Sequence, residues 1–261
     1  MKRIPLLLLI FGAWCGPGIA GASTNQPSSF TVQYEWFTWR EEDQQGRRLL
    51  EETGPRVGIR WQSERTDAPI PWAVRAGVYL GTVDYDGKTQ LGLPIDSTSD
   101  YHGLRVESDA TVLSFGETVR GQLFGGLGAH TWVRSLDNTR GFTDTGYNEW
   151  WSSIHAQAGL RLDGPAFGGA WSFRGGLRLP LWNRVEYDLV LPDGSSDASV
   201  EPEIAPGWFA EADFARGGYT AGLFAEFAQY DRSDAVTRGQ VDVFQPESRE
   251  RIIGLRAGLE F

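Results

Sequence analysis

Apolar and charged residues alternate with a period of two along most of this 261-residue chain, and this alternation limits the folds open to it. Near the start, Phe30, Val32 and Tyr34 are apolar at every second position, while Glu35 falls on the opposite parity. No helical period of apolar residues persists beyond the first 22 residues. The pattern predicts an all-β protein whose strands have one apolar face and one charged face.

Ten strands are predicted, and their connections alternate in length. The predicted strands are 30–40, 54–62, 72–83, 102–115, 119–134, 150–162, 170–182, 207–215, 219–231 and 250–261. Connections of 13, 18, 15, 24 and 18 residues alternate with connections of 9, 3, 7 and 3 residues. This arrangement is typical of a transmembrane antiparallel up-and-down β-barrel with long extracellular loops and short periplasmic turns. Eight or twelve strands stay open as alternatives if 54–62 or 207–215 is misread.

Charge indicates which face of each strand meets lipid. One parity carries ten arginines and seven carboxylates, which are Glu35, Arg56, Arg60, Arg75, Arg105, Glu107, Asp109, Arg120, Arg134, Arg161, Arg174, Arg178, Glu211, Asp213, Glu226, Arg256 and Glu260. Because an arginine at the bilayer midplane costs about 2 to 4 kcal/mol, this parity is predicted to face the lumen as a charge network. Leu113 and Phe115 also fall on it, which indicates a β-bulge or a misplaced register in that strand.

Aromatic residues cluster where the predicted strands end, as amphipathic rings do at membrane interfaces. The predicted lower girdle contains Trp61, Trp72, Phe115, Trp171, Tyr219 and Phe261, and the upper girdle contains Trp39, Tyr85, Tyr101, Trp132, Trp150, Trp182 and Trp208. The alternative is a soluble barrel with aromatic residues at the corners of its core.

Residues 1–22 are predicted to be a secretory signal peptide, followed by a single barrel domain over residues 23–261. A basic start at Lys2 and Arg3 precedes an apolar run over 4–14, and Ala20-Gly21-Ala22 matches a cleavage site. The run is too short for a spanning helix, and Trp14 is a poor neighbour for a lipid anchor at Cys15, so both are disfavoured. Cys15 is the only cysteine, so the mature chain has no thiol chemistry.

The end of the chain resembles a known class of proteins. Ile253, Leu255, Ala257, Leu259 and the final Phe261 occupy every second position, which is similar to the C-terminal signature of Gram-negative outer-membrane β-barrel proteins. The resemblance implies a place in the cell outer membrane, in contact with outer-membrane lipids and lipopolysaccharide. It also implies recognition of this assembly signal by the barrel-assembly machinery, and by periplasmic chaperones, during biogenesis. It identifies no activity.

Catalytic candidates are weak. His130, His155 and Ser153 share the lumenal parity of neighbouring strands, and a Ser/His pair serves the outer-membrane phospholipase and lipid A deacylase families. Those enzymes direct their catalytic groups at the lipid, whereas these side chains are predicted to point inward. Histidines hydrogen-bonded within a polar interior are therefore the preferred interpretation. The sequence contains no nucleotide or metal motif, so neither a cofactor nor a metal is predicted.

The ten-stranded omptin proteases provide a second comparison. Asp84-Tyr85-Asp86, at the top of the third strand, is similar to their paired acids. That family also needs an Asp-x-His pair in the fourth outer loop, and residues 183–206 contain no histidine. Only His102 lies near the outer rim, so Asp84 and Asp86 are interpreted as loop carboxylates.

The predicted lumen and loops together suggest a function. Arginines and carboxylates are expected to form ion pairs that close the lumen; a narrow solute path, biased toward anions by the excess of arginine, is the alternative. The five predicted outer connections hold 21 acidic and eight basic residues, and the pI of 4.8 excludes a nucleic-acid partner. We predict a small, non-enzymatic outer-membrane protein that acts in envelope integrity or surface interaction. A narrow channel and an outer-membrane lipid hydrolase or protease are the alternatives; the oligomeric state stays open.

Overall fold

The computed structural model describes residues 28–88, 94–136, 147–188, 197–239 and 241–261. The predicted signal peptide lies outside the described residues. The described residues form fourteen strands: β1 (Ser28–Glu42), β2 (Arg48–Arg65), β3 (Trp72–Lys88), β4 (Pro94–Phe115), β5 (Arg120–Leu136), β6 (Tyr147–Ala166), β7 (Gly169–Asp188), β8 (Ala198–Val200), β9 (Glu203–Ile204), β10 (Gly207–Arg216), β11 (Tyr219–Asp231), β12 (Val236–Arg238), β13 (Val241–Val243) and β14 (Glu247–Glu260). None of these residues belongs to a helix that is long and apolar enough to cross a membrane.

The ten long strands close into a barrel. Each pairs antiparallel with its neighbour from β1 to β7, then β7 pairs with β10, β10 with β11, and β11 with β14. The first and last strands pair from Ser29 opposite Glu260 to Glu42 opposite Glu247, which leaves no edge in the sheet. The predicted ten-stranded antiparallel barrel is confirmed, and the weak segments 54–62 and 207–215 are indeed strands.

Short connections lie at one end of the barrel, here called the turn end, where both chain termini of the barrel also lie. Gly217 and Gly218 form a two-residue turn with φ of 61° and 81°. Positive φ at both central positions belongs to the type I′ hairpin, whose twist matches that of the strands it joins, and glycine adopts it without strain. Phe167 and Gly168 form the other two-residue turn, with φ of 50° and 73°.

At the opposite end, here called the loop end, the strands extend beyond their predicted limits. β1 and β2 leave only residues 43–47 between them, so most of the predicted connection 41–53 is strand, and the same is true of 84–101. Asp43 closes the first of these loops because its carboxylate accepts the backbone N–H groups of Gln45 and Arg47, both at 2.9 Å. The Arg47 N–H, foremost among these contacts, lowers the pKa of Asp43.

The two faces of the barrel differ as the parity argument predicts. Val32 and Leu255 are 64% and 56% exposed on the outside, whereas Arg56 inside is 1% exposed. In β4 the pairing register shifts between Thr111 and Leu113, and this bulge places Leu113 and Phe115 on the outer surface. The predicted irregularity in this strand is therefore a β-bulge.

The predicted upper girdle is partly wrong. Trp39, Tyr101 and Trp132 are buried inside the barrel, and only part of the predicted set, including Trp150 and Trp208, is exposed outside. The first three lie on the interior parity of their strands, and proximity to a strand end does not decide which face a ring occupies. They belong to an aromatic core that fills the loop-end half of the barrel.

Short strands cover the loop end. β8 pairs with β7, β9 pairs with β11, and β12 with β13 forms a separate hairpin. Ala198, Val200 and Val243 from these segments are buried in the aromatic core. The loop end is thus closed by side chains from the loops as well as from the barrel strands.

We predict that Leu255→Arg, in the middle of the outer face of β14, destabilises the barrel in lipid bilayers by about 2 to 4 kcal/mol, because the guanidinium would enter hydrocarbon. The measurement is the free energy of unfolding by guanidinium chloride in phosphatidylcholine vesicles, with Leu255→Phe as the apolar control. An arginine variant as stable as the phenylalanine variant would show that this face does not contact hydrocarbon.

Candidate functional site in the barrel interior

The layer of charged residues nearest the loop end is built around Arg134 of β5. Its guanidinium lies 3.2 Å from Glu41, 3.0 Å from Glu52 and 3.0 Å from Glu149, and all four side chains are buried. β1, β2 and β6 each supply one carboxylate, so the layer joins four strands around the circumference. One cation among three anions leaves excess negative charge, which needs further hydrogen-bond donors.

Neutral donors satisfy these carboxylates. Trp39 donates a hydrogen bond to Glu41 at 3.0 Å, and Gln245 donates a second one at 3.3 Å. Trp151 donates to Glu149 at 3.0 Å. Ser99, at 2.5 Å, and Tyr101 both donate to Glu52. Charge-assisted hydrogen bonds of this kind are stronger than neutral ones, and each stabilises a buried anion. Gln245 comes from the loop before β14, so the covering loops are bonded directly into this layer. We call Arg134, its three carboxylates and the five neutral donors the Arg134 layer.

Aromatic rings fill the space beside the Arg134 layer. Trp151 meets Trp39 edge to face at 5.1 Å, stacks on Trp132 at 5.0 Å and contacts Tyr230 at 5.3 Å between ring centroids. These separations lie within the range in which aromatic pairs attract. The rings leave the charged groups in a dry setting, where an unpaired charge would be costly.

A middle layer lies nearer the turn end. Arg56 bonds Glu35 at 2.8 Å and lies over the rings of Phe37 and Tyr79, at 4.0 and 4.3 Å from their centroids. Both charged groups are almost completely buried, and the rings add cation–π attraction. Glu250 lies 3.8 Å from Arg56 and joins this pair to the next one.

Glu226 links the other arginines of the middle layer. Arg105 and Arg178 bond it at 2.9 and 2.8 Å, and Arg178 also reaches Glu107 at 2.6 Å. β4, β7 and β11 supply these groups, so the bonds cross the lumen rather than follow one strand pair. Crossed pairs of this kind connect opposite walls of the barrel.

The lower layer centres on Glu211 of β10. It accepts from Arg60 at 3.1 Å, Arg174 at 3.2 Å and Arg256 at 2.7 Å. Three arginines around one carboxylate reverse the charge ratio of the Arg134 layer. Two further acids offset this excess of positive charge. Asp109 bonds Arg75 and Arg174, and Asp213 bonds Arg256.

A cavity of about 360 Å³ opens at the turn end, and its walls carry the last charges. Arg161 bonds Glu64 at 2.5 Å and Asp163 at 2.8 Å. Arg120 and Glu260 also line this cavity, and the structure gives neither an ion pair within its described residues. These two predicted network members are therefore at the mouth, where water reaches them.

The lumenal set predicted from the sequence lacks several of the interior carboxylates. Glu41, Glu52, Glu64, Glu149 and Glu250 are all buried inside the barrel, although most of them fall in the predicted loops or at predicted strand limits. Extending the lumenal parity of each strand by a few residues would have found Glu41, Glu52 and Glu149. With these acids the interior carries no excess of arginine, so the count of ten arginines against seven carboxylates, on which the predicted bias toward anions rests, does not hold for the whole interior.

His130, His155 and Ser153 lie in the interior without forming a nucleophile pair. His130 is 2.8 Å from the Tyr79 hydroxyl and stacks on Trp132, while the His155 Nε2 atom is 3.8 Å from Glu107. Ser153 faces His130 across β5 and β6, and all three line a cavity of about 50 Å³. Ser153 makes no hydrogen bond to either histidine, so no serine is activated by this arrangement.

The acids compared with those of the omptins point away from the lumen. Asp84 and Asp86 lie on the outer parity of β3 and are exposed, and Asp86 bonds Arg48 at 2.8 Å. His102 of β4 is paired with Leu80, two register rows of outward-facing residues below Asp84. Asp84 and Asp86 are therefore two or more outward rows away from His102. The described residues also contain no cluster of three or more histidines, cysteines or acids arranged to hold a metal ion.

Comparison with known proteins gives a fold and no closer relationship. No family model and no curated protein matches the sequence. The outer-membrane protease OmpT from Escherichia coli is similar in structure, with a TM-score of 0.56 and 8% identity, over 92% of this chain and 97% of that chain. This chain has the fold of the outer-membrane β-barrel proteins. At 8% identity the similarity concerns the fold alone.

Two further outer-membrane structures align with lower scores. The transport unit of the autotransporter AIDA-I from Escherichia coli has a TM-score of 0.43 and 10% identity, over 89% of this chain and 90% of that one. The translocator domain of autotransporter NalP from Neisseria meningitidis has a TM-score of 0.41 and 13% identity, over 90% of this chain and 88% of that one.

We predict that Arg134→Met lowers the free energy of unfolding by about 3 to 5 kcal/mol, because it leaves three carboxylates buried without their cation. The matched control is Arg47→Met, which removes an exposed loop arginine paired with Asp43 and should leave the stability close to that of the parent. Guanidinium unfolding in detergent micelles, followed by tryptophan fluorescence, measures both. Equal stabilities for the two variants would contradict the central place of Arg134.

Proposed function

We propose that this protein is an integral outer-membrane barrel that passes no solute, carries out no catalysis and contributes to the integrity of the envelope. The Arg134 layer carries this proposal. It crosses the interior at the loop end with side chains that have almost no contact with solvent, including Trp39, Trp151 and Glu52. A solute that entered from the loop end would have to displace them.

Cavity sizes support a closed lumen. Within the described interior, cavities of about 50 and 40 Å³ lie above the wide mouth at the turn end, and one of about 20 Å³ lies beside that mouth, next to Thr66 and Pro71. Spaces of this size hold a few water molecules at most. The cavity of about 360 Å³ opens at one end of the barrel only, so it is a vestibule that leads to the ion-pair layers.

The energetics of opening also favour a closed state. A continuous path would need Arg134 to leave its three carboxylates, or the crossed pairs at Glu226 to separate. Separating a buried ion pair costs several kcal/mol, since each partner is left without its counter-charge in a setting of low polarity. Thermal motion alone therefore opens such a barrel rarely.

Orientation follows from the lengths of the connections. Outer-membrane barrels have short turns in the periplasm and longer loops outside the cell, so the loop end would face the surroundings of the cell. This places the covering segments β8, β9 and the hairpin of β12 with β13 at the surface. The wide vestibule then faces the periplasm.

The conductance of the refolded protein tests the closed lumen. In planar lipid bilayers the parent should give no steady conductance steps, and neither should Trp39→Ala with Trp151→Ala, because the crossed pairs at Glu226 still close the lumen. Refolding of each sample is verified first by its heat-modifiable mobility in gels. Reproducible steps of one size from the parent would overturn the closed lumen in favour of a narrow channel.

A genetic experiment separates a structural role from an enzymatic one. Loss of the protein should increase the sensitivity of the bacterium to detergents and bile salts, measured as a fall in plating efficiency. Both the parent and the double variant His130→Ala, His155→Ala should restore resistance, because neither histidine acts in catalysis on this proposal. Restoration by the parent alone, with equal amounts of both proteins in the membrane, would instead favour the lipid hydrolase.

A further inference from the structure

Three arginines lie together on the outer wall of the barrel where β1 meets β14. Arg40 and Arg249 are direct partners in the pairing of these strands, and Arg251 is paired with Thr38 in the next outward-facing row toward the turn end. All three lie on the outward parity, and their side chains reach solvent. We name Arg40, Arg249 and Arg251 the arginine patch.

The height of the arginine patch is set by the residues around it. One outward row nearer the turn end, Trp36 and Ile253 are paired and are 51% and 69% exposed, so the apolar band begins there. On its other side, Arg251 is paired with Phe227, whose ring stacks on Trp208 at 6.2 Å. Exposed aromatic rings of this kind mark the membrane interface. The patch therefore lies at the level of the lipid headgroups at the loop end.

The three arginines are not equally paired. Arg40 bonds Glu42 at 2.9 Å, and Arg249 lies 2.9 Å from Glu247 and 3.4 Å from Glu42. Arg251 has no ion pair or side-chain hydrogen bond within the described part of the chain. Arg40 and Arg249 are thus held in place by carboxylates that lie farther from the apolar band. Among the described residues, the donors of Arg251 stay unpaired beside the apolar band.

Charge on the outer wall is divided between two sides. At the same end of the barrel, the outward parity of β2, β3 and β4 is acidic, with Glu51, Asp84, Asp86, Asp96 and Asp100 exposed or half-exposed. Glu51 is the strand partner of Arg40, so the acidic side begins at the edge of the arginine patch. Glu51 and Asp86 are direct partners, as are Asp86 and Asp96. An anionic lipid headgroup is repelled from that side and attracted to the arginine patch, although the whole chain has a net charge of −10.

We propose that the arginine patch binds the phosphate groups of a phosphorylated lipid in the outer leaflet, whose acyl chains lie along Trp36, Ile253 and Leu255. The proposal rests on the proposed function, since it needs the barrel to span the membrane with its loop end outward. Guanidinium groups bind phosphate oxygens through two parallel hydrogen bonds, and the free donors of Arg251 are placed beside the chains of the same lipid. The patch thus recognises a phosphate that is attached to an apolar tail.

The test uses the full barrel in phosphatidylcholine nanodiscs, with insertion verified by heat-modifiable mobility. The probe is bisphosphorylated lipid A, and native mass spectrometry counts the bound molecules. We expect the parent to bind it about tenfold more tightly than the dephosphorylated form. The triple variant Arg40→Gln, Arg249→Gln, Arg251→Gln should lose that tenfold preference.

Arg184→Gln is the matched control, because Arg184 is an equally exposed arginine paired with Glu186 on the distant strand β7. It should bind the probe as the parent does. Equal binding by the parent and the triple variant, or of both forms of the lipid by the parent, would overturn the site. Binding of inorganic phosphate alone with comparable affinity would overturn a lipid as its occupant.

The failure of the site and the failure of the proposed function give different results. A parent that inserts and does not distinguish phosphorylated from dephosphorylated lipid A overturns the arginine patch alone. A parent that fails to insert into nanodiscs, and stays monomeric and folded in buffer without detergent, overturns the membrane location and the patch with it.

Discussion

The structure depends on one constraint: the arginines and carboxylates enclosed in the narrow barrel must form ion pairs with one another, because a buried charge without a partner is costly. Hydrocarbon outside the wall forces the charged side chains within the apolar band of the strands to the interior, where ten strands leave little room for water. Arg56 with Glu35, and Arg134 with three glutamates, show how complete the burial is. Most of the interior ion pairs join different strands, so these pairs need the closed barrel to form.

The charge ratio changes along the axis of the barrel. Three carboxylates surround Arg134 near the loop end, whereas three arginines surround Glu211 nearer the turn end. Neutral donors from tryptophan, tyrosine and glutamine make the acidic layer possible, because they bond carboxylates without adding positive charge. This layer also receives Gln245 from a loop, so the surface segments and the barrel wall stabilise each other.

At the height of the bilayer, the sequence alone predicts which side chains belong to the network, because the environment differs only between the two faces of each strand. For Arg105, Arg174 or Glu226, the parity of the residue in its strand is enough to place the side chain inside. Beyond the bilayer that contrast disappears, since both faces of a strand contact polar surroundings. The local pattern therefore predicts loops at Glu41, Glu52 and Glu149 and an outer girdle at Trp39, Tyr101 and Trp132, although all six are buried inside.

The amino-acid sequence by itself indicated the class of fold, ten strands with eight or twelve left open, the face that meets lipid and an irregularity near Leu113, because each follows from local alternation of apolar and charged side chains. Only the tertiary structure decided which arginine meets which acid, that the lumen is filled at the loop end, and that Arg40, Arg249 and Arg251 share one patch. These facts depend on the stagger between strands and on contacts across the barrel. They join residues as distant in the chain as Glu41 and Gln245, a separation that no periodicity within one strand encodes.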